Sequence, residues 1–364
     1  MSLRPIVHRP IIPYTRLNVK HLLVIRFSAL GDVAMTIPVI HACACQHPEL
    51  RITVLSREFV RPLFERMPAN VSFVGADLKG RHKGIGGLNR LFAELRPLGI
   101  DAVADLHDVL RSKYLRMRFR LAGIRTAHID KGRREKKALT DAVEKKLVPL
   151  KSSFERYADV LRRLGLDVTP RFSSLFGDAG GDLRTVVGVT GEKGTDTWVG
   201  IAPFAAHRGK VYPLEQMEQV VAALAAAGCR VFLFGAGASE RALLEQWEQR
   251  HEGVRSLAGK LRMDSELVVM SHLDVMVSMD SANMHLASLV GTPVLSVWGA
   301  THPYAGFMGW GQTEDRAVQL DLNCRPCSIY GNRPCLRDDY ACLTLLRPET
   351  LVERIKQLIE SKKD

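Results

Sequence analysis

The sequence predicts an α/β protein with two doubly wound domains, each a parallel sheet with helices on both faces. The chain has 364 residues, more than the roughly 250–300 at which a single hydrophobic core stops growing. Short apolar runs alternate with helical patterns in both halves, which is typical of parallel sheets. A glycine-rich stretch at 177–182 separates the two series. We therefore expect an N-terminal domain of residues 1–178 and a C-terminal domain of residues 179–364.

The individual elements follow from these runs. In the first half, apolar runs predict strands at 21–27, 51–56 and 101–106, with a basic helix after the third that ends at Gly123. The second half predicts strands at 198–204, 229–235, 274–279 and 294–298, and an amphipathic helix at 348–363. The charge-dense stretch at 131–146 is typical of a solvated loop and helix face. Residues 310–347, rich in Cys, Pro, Gly and Asp, predict a loop.

Composition and hydropathy narrow the class of protein. Hydrophobic residues make up 46% of the chain and charged residues 25%, as in an ordinary globular enzyme. No apolar run reaches the roughly 18 residues of a membrane-spanning helix, and the first residues lack the apolar core of a signal peptide. We therefore expect a protein that is neither secreted by a cleaved signal nor integral to a membrane.

The net charge of +12 is distributed unevenly. Residues 1–178 contain 32 Lys and Arg against 17 Asp and Glu, a net charge of +15, whereas residues 179–364 carry −3. The first half should therefore attract a polyanion or an anionic membrane face. Aromatic residues are only 7% of the chain, so base stacking is not indicated and we expect no nucleic-acid partner.

Three turns carry candidate functional residues, because ligands of doubly wound sheets bind beyond the carboxyl ends of the strands. In the first turn, Asp32 is either a helix cap or a carboxylate that can accept a proton. In the second, the cations from His207 to Lys210 suit a diphosphate, or form only an exposed basic loop. In the third, Asp280 to His285 open a helix whose N–H groups can face an anion, or are a simple cap and a packed histidine.

At these residues the chain resembles the ADP-heptose:lipopolysaccharide heptosyltransferases of glycosyltransferase family 9. The resemblance covers about residues 20–360. It is carried by R-x-S-x-L-G-D-x-x-x-T-x-P from Arg26, the basic loop with Lys210, F-G-x-G-x-x-E ending at Glu240, and M-D-S-A-x-M-H-L-A from Met279, followed by G-T-P at 291–293. It implies the GT-B fold, two facing Rossmann-like domains with a cleft between them, the first binding the acceptor and the second the nucleotide sugar.

Carried over residue by residue, the resemblance implies that Asp32 is the catalytic base. Lys210 would contact the donor phosphate or sugar, Glu240 the ribose and Leu261 the adenine. The sugar and diphosphate would be held by Asp280, Ser281, Ala282 and His285. The acceptor would be bound by Arg26, Ser28, Arg57 and Arg61. This chain departs from the best-known members in having Ala205 and Ala206 where they carry two threonines ahead of the lysine, which removes two hydroxyl contacts to phosphate.

The chain has seven cysteines, an odd number, and Cys43, Cys45 and Cys229 lie in segments predicted to form regular secondary structure. A disulfide framework is therefore not indicated for these three, and the pattern favours a reducing cytoplasm. The other four form the quartet Cys324, Cys327, Cys335 and Cys342. The quartet is compatible with a structural zinc site, with free thiols or with a disulfide pair, and only its first pair has the usual zinc spacing. Similar cysteine-rich tails are a feature of the family that the chain resembles.

We therefore expect an inverting glycosyltransferase that moves a heptose or related sugar from an ADP-sugar to a lipopolysaccharide core or similar phosphorylated, anionic glycolipid. It would act as a peripheral protein at the cytoplasmic face of the inner membrane and require no cofactor. The chain has no Asp-x-Asp pair to hold a metal, so Lys210 and the helix start at Ser281 would take up the charge on the phosphates. The alternatives are a non-catalytic, zinc-containing nucleotide- or nucleic-acid-binding protein, and a nucleotide-sugar epimerase or dehydrogenase. The sequence does not support an epimerase or dehydrogenase, because the turn after the first predicted strand has no G-x-G-x-x-G motif.

Overall fold

Two parallel sheets lie on either side of the glycine-rich stretch in the computed structural model, which describes residues 19–361. The strands of the first sheet are β1 (His21–Ile25), β2 (Arg51–Arg57), β3 (Val71–Ala76), β4 (Ala102–Asp105) and β5 (Arg125–His128). They are all parallel, in the order β3-β2-β1-β4-β5. The strand order reverses between β1 and β4, and ligands of such sheets bind at this reversal.

The second sheet repeats the plan with six strands. They are β6 (Trp198–Ala202), β7 (Arg230–Leu233), β8 (Val254–Ser256), β9 (Val275–Met279), β10 (Val294–Val297) and β11 (Ala317–Val318). The order is β11-β10-β9-β6-β7-β8, again all parallel. Here the strand order reverses between β6 and β9. The predicted fold class, two facing α/β units of the GT-B type, is confirmed.

Helices connect the strands in both halves. Those of the first half are α1 (Leu30–Ala34), α2 (Ile37–Gln46), α3 (Gly84–Leu95), α4 (Leu110–Leu121), α5 (Arg133–Leu139) and α6 (Ser153–Arg162). Those of the second half are α7 (Val187–Thr190), α8 (Leu214–Ala226), α9 (Ala238–Arg250), α10 (Met263–Ser271), α11 (Ala282–Leu289), α12 (Ala341–Thr344) and α13 (Pro348–Glu360). None of the helices in the part of the chain described here is long and apolar enough to cross a membrane.

The structure corrects several expected elements. The segment after β2, for which no element was predicted, forms 3₁₀ turns over Glu58–Phe64 and contains Pro62, which cannot donate a backbone hydrogen bond. The expected loop at 310–347 includes β11 and α12. The charge-dense stretch at 131–146 is not simply a solvated face, because α5 buries Lys136 and Leu139. Within Pro348–Glu360, Leu351, Ile355 and Ile359 form the buried face of the terminal helix.

The hydrophobic core differs from the two separate cores that the sequence predicts. One cluster of buried residues includes Val24 and Val54 of the first sheet together with Trp198 and Met284 of the second half. Contact between the halves is closest where α1 meets α11. A Cβ atom on Gly31 would lie 2.7 Å from Cδ2 of His285. Glycine at this position therefore allows the two sheets to face each other across a narrow gap.

Candidate functional site

A cleft of about 820 Å³ opens where the carboxyl ends of the two sheets face each other. The loops that line it include those after the strands beside each reversal of strand order, β1 in the first sheet and β6 and β9 in the second. The cleft therefore gathers all three turns that the sequence analysis selected. Its wall includes Asp32, His207, Lys210, Glu240, Asp280, Ser281, Ala282 and His285.

Asp32 is the third residue of α1 and faces this cleft. Its carboxylate Oδ2 accepts a hydrogen bond from the N–H of Ala29 at 3.2 Å and pairs with Nη2 of Arg26 at 2.7 Å. Burial would raise the pKa of Asp32, but the charge of Arg26 and the Ala29 N–H outweigh it and lower this pKa. The side chain is 35% exposed. Asp32 is thus both a cap and an ionised, accessible carboxylate.

The acceptor candidates differ in position. Arg26 is buried, and its Nη1 also donates to the carbonyl of Leu106 at 2.6 Å. Ser28 lies beside this pair, with its Oγ 3.5 Å from Nε2 of His107. Neither Arg57 nor Arg61 contributes to the cleft wall.

Both outlying arginines are engaged elsewhere. Arg57 stacks over the ring of Phe59, which does line the cleft, at 4.6 Å. Arg61 pairs with Glu58 and stacks over the ring of Phe73. None of the four predicted acceptor residues therefore lines the cleft, although Arg26 contacts Asp32, which does.

Lys136 is a buried cation whose charge interacts with that of Asp32, and the sequence analysis missed it. Burial and the charge of Arg156 lower the pKa of Lys136 to about 8. Its ammonium lies over the ring of Phe307, 4.4 Å from the ring centre, and 6.0 Å from that of Tyr330. Both rings line the cleft. Within residues 19–361 no carboxylate pairs with this ammonium. A desolvated positive charge therefore lies against two rings of the cleft wall, although Lys136 itself does not line the cleft.

Lys210 and Asp280 face each other on the opposite wall. Nζ of Lys210 lies 2.9 Å from Oδ2 of Asp280, and the aspartate side chain is only 4% exposed. Gly331, at φ +73°, packs on the stem of Lys210, where a Cβ atom would lie 2.6 Å from Cγ. The segment that carries Gly331 therefore holds the lysine against the cleft.

The start of α11 presents unpaired backbone donors to the cleft. Ser281 is the N-cap residue, but its side chain makes no capping hydrogen bond and its Oγ lies instead 3.2 Å from Oγ of Ser278. The first N–H groups of a helix have no partner within the helix, so they can bind an anion. Burial lowers the pKa of His285 to about 4, and this ring is therefore neutral at pH 7.

Of the two residues predicted to contact the nucleoside, Glu240 lines the cleft and Leu261 does not. Glu240, in the first turn of α9, accepts a hydrogen bond from the N–H of Ala236 at 2.7 Å and lines the cleft. Leu261 is partly buried against the core and does not line the cleft, whereas Met263, two residues later, does. Glu266 also lines it, and burial raises the pKa of Glu266 to about 7. The sequence pattern thus located this wall but not its individual side chains.

The four cysteines of the quartet line one small cavity, and none of these four forms a disulfide. Within residues 19–361 no group of three or more His, Cys, Asp or Glu side chains is placed to hold a metal ion. Burial raises the pKa of the Cys342 thiol to about 11, so at pH 7 this thiol is protonated.

Chemically, the two walls are complementary. One carries an ionised carboxylate within a group of cations, and the other carries a lysine, a carboxylate and free N–H groups. Such a cleft can hold a diphosphate on one side and activate a hydroxyl on the other. Sequence reasoning missed Lys136, Phe307 and Tyr330, because they lie in charge-dense or irregular segments whose patterns carry no sign of burial.

Comparisons with known proteins agree with this architecture. The model of glycosyltransferase family 9 (heptosyltransferase) matches residues 88–335. Lipopolysaccharide heptosyltransferase 3 of Escherichia coli (strain K12) is 28% identical over 287 residues, which cover 74% of this chain and 80% of that protein.

Two solved structures have a similar fold. The E. coli ADP-heptose lps heptosyltransferase II is 18% identical with a TM-score of 0.69, covering 94% of this chain and 100% of that one. The E. coli heptosyltransferase WaaC with ADP-2-deoxy-2-fluoro heptose is 16% identical with a TM-score of 0.65, covering 94% and 99%. The family match contradicts the alternatives of a non-catalytic binding protein and of an epimerase or dehydrogenase. The chain is therefore a glycosyltransferase and belongs to glycosyltransferase family 9, the heptosyltransferase family.

Proposed function

We propose that this glycosyltransferase transfers a heptose or related sugar from an ADP-sugar to a lipopolysaccharide core or similar anionic glycolipid, with inversion at the anomeric carbon. The observation that carries the proposal is that Asp32 and the open start of α11 face each other across one cleft. The names of the similar E. coli proteins, which include lipopolysaccharide and ADP-heptose, support the substrate class.

The donor would bind to the second half, residues 179–364. Its diphosphate would contact Lys210 and the free N–H groups at Ala282 and Asn283, where charge and helix dipole both favour an anion. Glu240 is placed to accept hydrogen bonds from the ribose hydroxyls. Leu261 was expected to contact adenine but does not line the cleft. Met263 does line it, so we assign the contact with adenine to Met263.

In the reaction, Asp32 accepts the proton of an acceptor hydroxyl as the oxygen forms a bond to the anomeric carbon. The bond from that carbon to the diphosphate oxygen breaks, and ADP leaves with the electron pair. Lys210 and the α11 N–H groups stabilise the charge that develops on the leaving group. The positive charge of Arg26 keeps Asp32 ionised. On the opposite wall, His285 of α11 is neutral and adds no charge.

The acceptor would bind to the first half, residues 1–178, through its acidic groups. Arg26 pairs with Asp32, the charge of Lys136 interacts with that of Asp32, and the whole half carries a net charge of +15. A phosphate or carboxylate near the reacting hydroxyl would neutralise the buried ammonium of Lys136. Ser28 can contact the same group, and Arg57 and Arg61 would meet parts of the glycolipid outside the cleft. Such an acceptor places the enzyme at the cytoplasmic face of the inner membrane.

The test is transfer from ADP-heptose to a deacylated lipopolysaccharide core, compared between the wild type and Asp32→Asn. General base catalysis contributes about 10²–10⁴-fold to rate, so the variant should lose at least the lower end of that range. Its affinity for ADP, measured by calorimetry, should be unchanged. Turnover near that of the wild type would remove Asp32 from the mechanism. Absence of transfer by the wild type would contradict the proposed substrates.

A further inference from the structure

We propose that the outer face of α4 docks on the surface of an anionic lipid bilayer. The inference rests on the proposed function and deepens it, since it names where the chain would meet the lipid that carries the acceptor. It is argued from three features of this helix: an exposed apolar stripe, the cations beside that stripe and the position of the helix at the cleft.

The apolar stripe lies opposite the face that α4 buries. Ser112, Leu115 and Phe119 form the buried face. On the other side Leu110, Met117 and Leu121, the α4 stripe, are 87%, 47% and 78% exposed. At about 100° per residue these three side chains lie within roughly 40° of one another. A surface helix of a globular protein ordinarily carries polar residues on this face, so the stripe calls for an apolar partner.

The cations identify that partner. α4 contains five Arg and Lys and no Asp or Glu. Arg111, Lys113 and Arg120 are exposed on both sides of the stripe, and within residues 19–361 neither Arg111 nor Arg120 forms an ion pair. Apolar side chains bordered by cations are the composition of helices that lie in the interface of an anionic membrane. A second copy of this chain would instead bring like charges together.

Neighbouring structure extends this surface. The Tyr114 hydroxyl, beside the stripe, donates to Oδ1 of Asn89 on α3 at 2.7 Å. Ile85, one turn before Asn89 on the same face of α3, is 67% exposed. An apolar side chain of the adjacent helix therefore lies along the same side of the domain.

The helix also connects this surface to the cleft. α4 starts shortly after the carboxyl end of β4, and Arg26, the partner of Asp32, donates to the carbonyl of Leu106 there. With a length of about 18 Å, α4 runs from this edge along the domain surface. A glycolipid embedded in a bilayer under the stripe could therefore present its head group to Asp32 while its acyl chains stay in the membrane.

Co-sedimentation with vesicles tests the proposal, using phosphatidylcholine with and without phosphatidylglycerol. The variant Leu110→Gln/Met117→Gln/Leu121→Gln should bind the anionic vesicles roughly tenfold or more weakly, because three apolar side chains no longer enter the interface. The variant Arg111→Gln/Arg120→Gln should lose roughly fivefold per arginine at low salt. Leu336→Gln/Leu345→Gln, at exposed positions of the second half, is the control and should bind as the wild type does.

Transfer to the deacylated acceptor separates this proposal from the proposed function. The stripe variant should keep wild-type turnover on that substrate and lose it on the same acceptor in vesicles. Equal vesicle binding by the wild type and the stripe variant would overturn the docking surface. So would a wild-type dimer in solution that the stripe variant dissociates, because the stripe would then be an interface between copies. Failure of the wild type on the deacylated acceptor would overturn the proposed function alone.

Discussion

Gly31 and His285 hold the two halves of this enzyme at contact distance. An added Cβ atom on Gly31 would lie 2.7 Å from Cδ2 of His285 and 3.3 Å from Cα of Ala282. The second of these atoms belongs to the backbone of α11, so it cannot rotate away. Because Asp32 follows Gly31 and Asp280 closely precedes α11, this contact limits how closely the two walls approach at this point of the cleft.

Gly31→Ala should therefore force α1 away from α11. We expect a loss of about 1–3 kcal/mol in the free energy of unfolding, the usual cost of overpacking, and a fall in transfer rate as the walls separate. Gly86→Ala on α3 is the control, since nothing lies within 4 Å of its added Cβ. That variant should gain up to about 1 kcal/mol from helix propensity. Identical behaviour of the two variants in urea unfolding would contradict the contact.

Arg26→Met should raise the pKa of Asp32, since it removes the positive charge that lowers it. A general base works only when ionised, so its rate falls as the pH drops through its pKa. In the variant the acidic limb of kcat/KM should therefore lie at higher pH than in the wild type. A pH profile over the acidic range measures this shift. An unchanged limb would show that another group titrates there.

Lys136→Met should stabilise the fold at pH 7 by about 1–3 kcal/mol, because a charged lysine is costly at this buried position. The pKa is about 8 in the folded chain and 10.5 for an ordinary lysine. As the pH rises from about 8 to 10.5, Lys136 loses its proton in the folded chain first, so the wild type becomes more stable. The difference in the free energy of unfolding between Lys136→Met and the wild type therefore becomes smaller over this range. Urea unfolding at pH 7 and at higher pH measures both effects.

The same variant should raise KM for the acceptor, since it removes the proposed partner of an acidic group. Exposed Lys137, the next residue, offers the control Lys137→Met. This control should change neither stability nor KM appreciably. Unaltered acceptor KM in Lys136→Met, together with the expected gain in stability, would reduce Lys136 to a structural residue.

Lys210→Ala should weaken ADP binding, because a charge-assisted contact contributes roughly 1.5–3 kcal/mol, which corresponds to about 10–150-fold in Kd. Arg208→Ala in the same turn is the control. Arg208 is exposed, stacks over Tyr340 at 4.7 Å and does not line the cleft. Calorimetric titration of ADP measures both variants. Equal loss of affinity in the two would point to the general charge of the loop rather than to Lys210.

The sequence alone was enough to predict the α/β class and the three turns that line the cleft. Buried parallel strands such as β6 and β9 are continuous apolar runs, and their pattern is a local property of the chain. The motifs around Asp32, Lys210 and Asp280 directly follow such strands, so the rule for doubly wound sheets brought them to one edge. The edge strands β3, β5, β8 and β11 were missed, because they are only partly buried and so do not form continuous buried apolar runs.

Only the tertiary structure decided which side chains lie together and how their charges interact. Asp32 pairs with Arg26 of its own turn, but its cationic neighbour Lys136 comes from a segment about a hundred residues away. Nothing local marks this lysine, whose burial results from packing against Phe307 and Tyr330 of the second half. The α4 stripe is similar, because its residues alternate with cations along the chain and form one face only on the folded helix. Distances across a cleft depend on how two sheets pack, which periodicity along one chain does not encode.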